Sequence, residues 1–160
     1  MFCISNSKIL NEVRVITLTV FEDFRGQYVE IYNEELWKEL NIPVFVQDDI
    51  SVSRKNVLRG IHGDKKTWKL IQCLYGSFYL VVTDGVKWDA FTLSDTNRKM
   101  ILVPPGYGNG HLILTDTAIF HYKQTTVYDR ESQFTLKWND KKLNIFWPIS
   151  NPILSERDQF

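Results

Sequence analysis

Residues 51–70 hold the side chains of this sequence that are best suited to chemistry. Between two apolar, strand-like segments this stretch carries, in order, Arg54, Arg59, His62, Asp64 and Lys69. A free imidazole titrates near neutral pH and can move a proton, whereas a guanidinium or an ammonium can hold an anion. Strand periodicity with polar residues on one face predicts a sheet whose concave side is wet.

Gly60 bears on the direction in which the side chains of this stretch point. Under strict alternation, Arg59 and Ile61 share one face, and Leu58, Gly60 and His62 share the other. A bulge at the glycine would change that grouping because it adds one residue to the strand. Alternation alone therefore does not predict which face His62 lines.

Short strand patterns, separated by turn residues, make up most of the chain. Residues 13–20, 27–32 and 118–126 alternate as half-buried strands do, and residues 21–26 read as a turn. Many short strands at regular spacing predict an all-β fold. We expect an antiparallel barrel or jelly roll with one or two short helices.

One helix and one tail complete the predicted layout. Asn33 is a good N-cap for a short helix over residues 34–40, with glutamates in its first turn. The irregular tail that contains Trp138 and Trp147 is expected to wrap around the barrel. No repeat or linker divides the chain, so we expect one domain over residues 1–160.

Composition and charge exclude several classes of protein. Apolar residues make up 44% and charged residues 24%, a composition typical of neither disordered nor membrane-spanning chains. The 19 basic and 19 acidic residues balance, which removes the general electrostatic footprint of a nucleic-acid-binding protein. Cys3 and Cys73 lie far apart, which favours a reducing, cytoplasmic compartment over a disulfide framework. No leader typical of secretion is recognised.

Five motifs, in order, connect this sequence with a known enzyme family. LRGIH at residues 58–62, preceded by QDDISVS, resembles the signature of the dTDP-4-dehydrorhamnose 3,5-epimerase family. The other matches are F-x-D-x-R-G at residues 21–26 with a later glutamate, KL at 69–70, VPPG at 103–106, and the run from Tyr122 to Pro148. The resemblance implies a cupin-type barrel, a homodimer, and epimerisation of nucleoside-diphosphate 4-keto sugars.

The resemblance also assigns acid–base roles to individual residues. His62 matches the general base, Tyr128 the general acid, and Lys69 a lysine near the ketone, where a cation would stabilise an enolate oxygen. The carboxylate that orients the base matches Asp158, in an L-S-x-x-D motif near the end, and Asp84 is the alternative. As plain structural residues, His62 would be a hydrogen-bonded histidine, Tyr128 a packing tyrosine and Asp84 a turn residue.

Four further residues match family positions that hold the nucleotide and its diphosphate. They are Arg25, Glu30, Gln47 and Arg59. A guanidinium suits phosphate oxygens because it can donate two parallel hydrogen bonds. As a plain structural residue, Arg25 would be a surface arginine at the end of a turn.

Two departures from the family pattern bear on the substrate. Six residues separate His62 from Lys69, and HGDKKTW stands where the family has a longer loop with tyrosine, glutamine and prolines. This short loop looks like the branch that acts on GDP-linked 4-keto heptoses for bacterial surface polysaccharides. Asn109 stands where the family has a histidine, and His111 where it has an aromatic residue. We expect both to contact the substrate, with an ordinary strand residue as the alternative for His111.

A metal site is the competing interpretation, because cupin barrels often bind a metal through clustered histidines. Here the central motif offers only His62, and Asn109 occupies the position of the later histidine. Zinc or iron would want more imidazoles. We therefore predict no bound metal and, since the substrate already carries the ketone, no redox cofactor.

The sequence thus predicts an epimerase that inverts C3, C5 or both in a dTDP-linked 4-keto-6-deoxyhexose or a GDP-linked 4-keto heptose. Two alternatives stay open, a nucleotide-sugar 3,4-ketoisomerase and a non-catalytic sugar-binding cupin. The presence of both His62 and Tyr128 favours epimerisation. The expected partners are the nucleotide sugar and a second copy of this chain, with no nucleic acid and no membrane. The family pattern also predicts a further segment beyond Phe160.

Overall fold

The structure, a computed structural model, describes residues 2–159. Its strands in chain order are β1 Phe2–Asn6, β2 Arg14–Leu18, β3 Val20–Asp23, β4 Gly26–Val29, β5 Gln47–Arg54, β6 Leu58–Gly63, β7 Lys69–Tyr75, β8 Ser77–Thr83, β9 Trp88–Ser94, β10 Lys99–Val103, β11 Gly108–Ile113, β12 Thr117–Gln124 and β13 Phe134–Thr135. The helices are α1 Glu34–Trp37 and the 3₁₀ helices Lys38–Leu40 and Glu156–Asp158. Within the described range, no helix has both the length and the apolar character needed to cross a membrane.

Two antiparallel sheets face each other. The first has the strand order β1-β2-β10-β7-β12-β5, and the second has the order β13-β6-β11-β8-β9. The space between them is apolar at one end, where Ile71, Phe78, Leu80, Ile101 and Phe120 belong to one buried cluster. This arrangement confirms the predicted cupin-type jelly-roll barrel, in which strands distant in sequence become neighbours.

Both outer faces of the barrel are covered by segments outside the sheets. Trp37 and Leu40, from α1 and the 3₁₀ turn that follows, pack against the first sheet together with Leu70 and Met100. Residues 138–154 cover the second sheet, where the indole of Trp147 donates to the Trp138 carbonyl at 2.7 Å. The predicted helix and the predicted wrapping tail are therefore confirmed. Asn33 caps α1 as expected, since its side chain accepts from the Glu35 N–H at 3.1 Å.

The predictions for residues 13–32 need correction. The single strand expected over residues 13–20 is two strands, β2 in the first sheet and β3 in a separate hairpin with β4. The turn expected over residues 21–26 is mostly part of that hairpin, and β4 ends at Val29, before Glu30. The sequence of residues 13–20 carries no turn residue at this break, which only the pairing partners far along the chain reveal.

Candidate active site

A cavity of about 680 Å³ opens between the sheets at the polar end of the barrel. One wall is formed by β6 and β11, and the facing wall by β5, β7 and β12, while residues 153–158 close one side. This volume lies within the range typical of small-ligand sites. The predicted site residues that line it are Gln47, Arg59, His62, Lys69, Asn109, His111, Tyr128 and Asp158.

A bulge in β6 turns both Arg59 and His62 toward the cavity. Across the β6–β11 pair, His62 lies opposite Asn109 and Arg59 lies opposite His111, so β6 holds one more residue than β11 over this interval. The extra residue reverses the alternation, and Ile61 turns to the opposite side, where it is fully buried. Strict alternation, which would group Arg59 with Ile61, therefore does not hold in β6. The cause is the bulge at Gly60, a possibility that the sequence had left open.

A glycine is needed at position 60 because a side chain there would clash with the backbone of the neighbouring strand. Its φ is +109°, and a Cβ at this position would lie 2.6 Å from the Asn109 carbonyl oxygen and 2.7 Å from the Gly110 Cα. Positive φ and close backbone approach both favour glycine. The glycine therefore allows the bulge that brings His62 into the cavity.

His62 is held by contacts on both ring nitrogens. Its Nε2 lies 2.9 Å from Asp158 Oδ1, and its Nδ1 lies 3.1 Å from the Thr135 hydroxyl. Within residues 2–159, the buried Oδ1 accepts no hydrogen bond of good geometry, so its contact with the imidazole is an ion pair when His62 is protonated. Asp158 Oδ2 accepts from the Ser155 hydroxyl at 3.0 Å and from the Gly60 N–H at 3.3 Å. Asp158 is therefore positioned to orient the imidazole of His62.

Asp158 is an ionised carboxylate in partly buried surroundings. Burial opposes its ionisation, but the contact with His62 and the hydrogen bonds from Ser155 and Gly60 outweigh burial and hold its pKa below the ordinary 3.8. At neutral pH this side chain therefore carries the charge that can stabilise an imidazolium.

Lys69 is a nearly buried cation on the wall facing His62. Its side chain lies in the cavity, the residue is only 8% exposed, and its Nζ is 3.4 Å from Asn109 Oδ1. Burial lowers the pKa of Lys69 below 10.5, Asp64 opposes this shift, and Arg157 adds to it. An ammonium that has lost most of its water gains more from a developing oxyanion than a solvated one does.

The shortened loop before Lys69 is organised by Asp64. Its carboxylate accepts from the N–H groups of Lys66 and Thr67 at 2.8 and 2.7 Å and from the Gln133 amide at 3.1 Å. Burial opposes ionisation of Asp64, but the backbone donors hold its pKa below 3.8. These hydrogen bonds hold the loop together without the residues that the family pattern would place there.

Tyr128 reaches the cavity from the segment after β12 and is 44% exposed. Its backbone N–H donates to the Gln47 side-chain oxygen at 2.8 Å. Gln47, which holds the Tyr128 backbone, lies on β5 of the first sheet, whereas His62 lies on β6 of the second sheet. A ligand between the two sheets would therefore meet an imidazole from one side and a phenol from the other.

His111 lies on the floor of the cavity and stacks on Phe120, with ring centroids 3.9 Å apart. Burial, and secondarily the nearby charge of Arg59, lowers the pKa of His111 to about 3. It is therefore neutral at physiological pH and takes the place of an aromatic ring. Among the described residues, its buried Nε2 has no hydrogen-bond partner.

Three predicted site residues lie outside the cavity. Asp84 sits in the turn between β8 and β9, where its carboxylate accepts from the N–H groups of Val86 and Lys87 at 2.8 and 2.7 Å. It does not contact His62, so the alternative that made it the orienting carboxylate is not supported. Arg25 and Glu30 lie in or next to the β3–β4 hairpin, where Arg25 pairs with Asp23.

The sequence interpretation missed several residues that line the cavity. On the inner face of the first sheet these are Asp49, Tyr122 and Gln124, and from the C-terminal segment Arg157. Asp49 follows Gln47 by two positions on β5, so alternation from Gln47 could have placed both on one face. Arg157 gave no such signal, because the segment that carries it has no regular periodicity.

The cavity does not assemble a metal-binding cluster. Over residues 2–159, no three or more histidine, cysteine, aspartate or glutamate side chains come together as metal ligands. His62, His111 and His121 lie on three different strands, β6, β11 and β12. The absence of a metal requirement stays a prediction, because activity after chelation is what tests it.

Comparisons with known proteins agree on one family. The sequence model described as dTDP-4-dehydrorhamnose 3,5-epimerase matches residues 7–160. A dTDP-4-dehydrorhamnose 3,5-epimerase of Escherichia coli K12 is 37% identical over 94% of this chain and 88% of its own. A dTDP-4-dehydrorhamnose 3-epimerase of Streptomyces niveus is 30% identical over 86% of this chain and 72% of its own.

The fold comparison gives the same result. The crystal structure of dTDP-6-deoxy-D-glucose-3,5-epimerase from Legionella pneumophila Philadelphia 1, in complex with dTDP-4-keto-L-rhamnose, superposes with a TM-score of 0.93. It is 32% identical in sequence, and the match covers 99% of this chain and 90% of the other. Sequence and structure therefore point to the same group of enzymes.

Proposed function

Because the chain belongs to the dTDP-4-dehydrorhamnose 3,5-epimerase family and is a carbohydrate epimerase, we propose that its cavity inverts C3 and C5 of a dTDP-linked 4-keto-6-deoxyhexose. One observation carries the proposal. His62, paired with Asp158, lines the cavity from the second sheet, and Tyr128 lines the same cavity from the segment that follows β12 of the first sheet, with the buried cation Lys69 in the same space. Inversion at carbon needs this arrangement, since a proton must leave one face and return to the other.

The reaction follows from the chemistry of the ketone. The C4 ketone acidifies the protons on C3 and C5, and His62 takes one of them while its charge is balanced by Asp158. The electron pair moves to the ketone oxygen, and the ammonium of Lys69 stabilises the resulting enolate. The Tyr128 hydroxyl then delivers a proton to the opposite face of the carbon, and solvent restores both groups. No net oxidation occurs, so we propose that no redox cofactor takes part.

Two guanidinium groups mark the place of the nucleotide diphosphate in this proposal. Arg59 lies on the cavity wall and donates through Nε to the Ser53 hydroxyl at 3.0 Å, which holds its guanidinium in position. Arg157 adds a second guanidinium to the same cavity. We propose that these cations hold the phosphates, because guanidinium groups match phosphate oxygens in charge and geometry.

Arg25 and Glu30 suggest how a homodimer would complete this site. The β3–β4 hairpin that carries Arg25 exposes Phe21, Phe24 and Tyr28, which are 56%, 99% and 69% exposed. Exposed aromatic residues on a separate hairpin suit an interface with another subunit. We propose a symmetric dimer in which each hairpin brings Arg25 and Glu30 to the cavity of the partner.

We also propose that the protein acts in the cytoplasm and serves bacterial surface polysaccharide synthesis. Cys3 and Cys73 are both free thiols, and Cys73 is buried. Burial raises the pKa of Cys73 to about 12, so it is an inert thiol rather than a reactive one. Thiols of this kind suit a reducing compartment.

Deuterium incorporation tests the function directly. The purified protein is incubated in heavy water with a dTDP-linked 4-keto-6-deoxyhexose, and the sugar is followed by mass spectrometry and proton NMR. We expect two deuterons, first at C3 and then at C5, because the C6 substituent hinders the C5 proton. His62→Asn is the negative control for incorporation.

Each other outcome of this experiment indicates a different activity, or none. One deuteron at C3 indicates a 3-epimerase, and migration of the keto group to C3 indicates the ketoisomerase. Incorporation only with a GDP-linked 4-keto heptose supports the heptose branch suggested by the short loop. No incorporation with either nucleotide sugar would contradict the proposal and favour a sugar-binding protein.

A further inference from the structure

We infer that Gln47 and Asp49 of β5 are positioning residues that hold Tyr128 in place. This inference rests on the proposed function, in which Tyr128 is the general acid. Tyr128 follows the end of β12 in residues 125–133, which belong to no strand or helix. The residue is 44% exposed, so packing alone holds it only partly. Something outside the segment must therefore fix the distance between its hydroxyl and the sugar.

The backbone of Tyr128 is tied to β5 by one side chain. The Tyr128 N–H donates to Gln47 Oε1 at 2.8 Å, across 81 positions of sequence. Gln47 is the first residue of β5 and pairs with Gln124, the last residue of β12. This bond therefore anchors the segment beside the point where it leaves the sheet.

Asp49 determines which way the Gln47 amide points. The oxygen Oδ2 of Asp49 accepts from the Gln47 amide nitrogen at 2.7 Å and from the Gln124 amide nitrogen at 2.8 Å. A carboxylate can only accept hydrogen bonds, so each amide must turn its nitrogen toward Asp49. For Gln47, this leaves Oε1 directed away from Asp49, where it receives the Tyr128 N–H.

A third side chain able to donate to Asp49 comes from the neighbouring strand. Tyr122 lies directly across from Asp49 in the β5–β12 pair, and both line the cavity. Burial, together with the charge of Asp49, raises the pKa of Tyr122 to about 12, so this phenol keeps its proton at physiological pH. Asp49 is therefore surrounded by two amides and a neutral phenol, all able to donate.

This arrangement predicts a particular defect when it is broken. If Tyr128 is displaced, His62 can still remove the proton, exchange it with solvent and return a deuteron to the same face. The substrate then gains deuterium without inversion. The useful measurement is the ratio of labelled, uninverted sugar to inverted sugar in heavy water. A residue that merely supports the fold would lower both quantities together and leave the ratio unchanged.

Two variants break the arrangement at different points, and a third should rescue it. Asp49→Leu removes the acceptor for both amides, and Gln47→Met removes the bond to Tyr128 directly. We expect each to raise the ratio about tenfold, the effect of a modest misplacement of a reacting group. Asp49→Asn keeps an oxygen that both amides can use, so its ratio should stay within about threefold of the wild type.

A matched control lies one residue away. Asp48 precedes Asp49 on β5, but it points to the outer face, where it pairs with Lys123 at 2.8 Å. Asp48→Leu makes the same chemical change on the opposite face and should leave the ratio unchanged. If Asp49→Leu does not fold, Gln47→Met tests the inference by itself.

The outcomes separate this inference from the proposed function. Folded Asp49→Leu and Gln47→Met proteins with wild-type ratios would overturn the positioning role. An equal fall in exchange and in inversion would overturn it too, because the substitution would then not act on the general acid Tyr128 in particular. A wild-type protein that incorporates no deuterium would instead contradict the proposed function. A raised ratio in both variants, with rescue by Asp49→Asn, supports the inference.

Discussion

Among the residues that the structure describes, three cations face the cavity, and each is held in a different way. Lys69 is buried, Arg59 is fixed by Ser53, and Arg157 donates to the Thr135 hydroxyl at 3.1 Å. His111 adds no charge, because burial lowers its pKa to about 3. Asn109 is neutral as well, so within a single chain the positive charge that faces an enolate or a diphosphate comes from these three side chains.

The role of His62 as the base is tested by His62→Asn. Asparagine is close in size and can hydrogen-bond to Asp158, but it cannot accept a proton at neutral pH. We expect turnover to fall by about three orders of magnitude or more, as for loss of a base and the steps coupled to it, while nucleotide binding is kept. His121→Asn, a histidine outside the cavity, is the control. Turnover of His62→Asn within tenfold of the wild type would rule out the base role.

Lys69 should set the alkaline limit of activity. The enolate is stabilised by the charged ammonium, and burial holds the pKa of Lys69 below 10.5. Turnover should therefore decline as pH rises through a value below 10.5, where the ammonium loses its proton. The kcat of Lys69→Met should be low and should lack this decline, and kcat measured across alkaline pH checks both. An unchanged decline in Lys69→Met would assign it to another group.

At the scale of single elements, the bulge of β6 is the feature on which the site depends. It brings Arg59 and His62 to one face of a strand that would otherwise separate them. It also places the Gly60 N–H 3.3 Å from Asp158, so the same backbone distortion helps to hold the carboxylate. A change at Gly60 should therefore affect both stability and chemistry.

Gly60→Ala tests the bulge, with Gly85→Ala as its matched control. Both glycines have positive φ, but a Cβ on Gly85 would meet nothing within 4 Å, whereas one on Gly60 would meet backbone atoms. Gly85→Ala should lower the free energy of unfolding by about 1–2 kcal/mol. Gly60→Ala should cost about 1–3 kcal/mol more, through overpacking, and should also reduce turnover. Denaturant unfolding and kcat measure the two effects, and equal costs would contradict a tight bulge.

At the scale of the whole molecule, the predicted site residues Arg25 and Glu30 lie outside the cavity of their own chain. Arg25 is exposed and pairs only with Asp23 of its own hairpin among residues 2–159. Arg59 lies in the cavity of its own chain. A symmetric dimer would give Arg25 a function that a single chain does not, because a two-fold axis makes each hairpin available to the partner.

Mixed dimers of two impaired variants test this arrangement. In a dimer of one Arg25→Ala chain and one His62→Asn chain, one cavity would have both residues intact if Arg25 serves the partner. Random assembly should therefore restore activity to about a quarter of the cavities. If Arg25 serves its own cavity, every site stays defective and mixing restores nothing. Light scattering provides the independent measure of the dimer.

Binding of a nucleoside diphosphate separates the two arginines. Arg59→Ala should weaken binding by about 1.5–3 kcal/mol, as for loss of a charge-assisted hydrogen bond. Arg25→Ala should weaken it too, but only at protein concentrations where the dimer forms. Calorimetry over a range of protein concentrations makes the comparison. Unchanged affinity in both variants would place the phosphates elsewhere.

The sequence by itself determined the fold class, the helix with its Asn33 cap, the covering tail and the family. Alternation, turn residues and capping are local properties, so they can be read from neighbours in the chain. Motifs in order likewise drew attention to His62, Lys69, Tyr128 and Asp158, and the structure brings all four to one cavity. Their catalytic roles stay predictions until the variants are measured.

Only the tertiary structure decided which residues meet. Asp158 contacts β6 across 98 positions of sequence. The motif favoured Asp158 and kept Asp84 as the alternative, and only the structure shows that Asp84 lies in a turn, away from His62. The face of His62 depended on its register with β11, and the anchoring of Tyr128 by Gln47 depended on how β12 pairs with β5. Register and pairing are set by packing between distant strands, so a bulge or a shared hydrogen bond becomes visible only when those strands lie side by side.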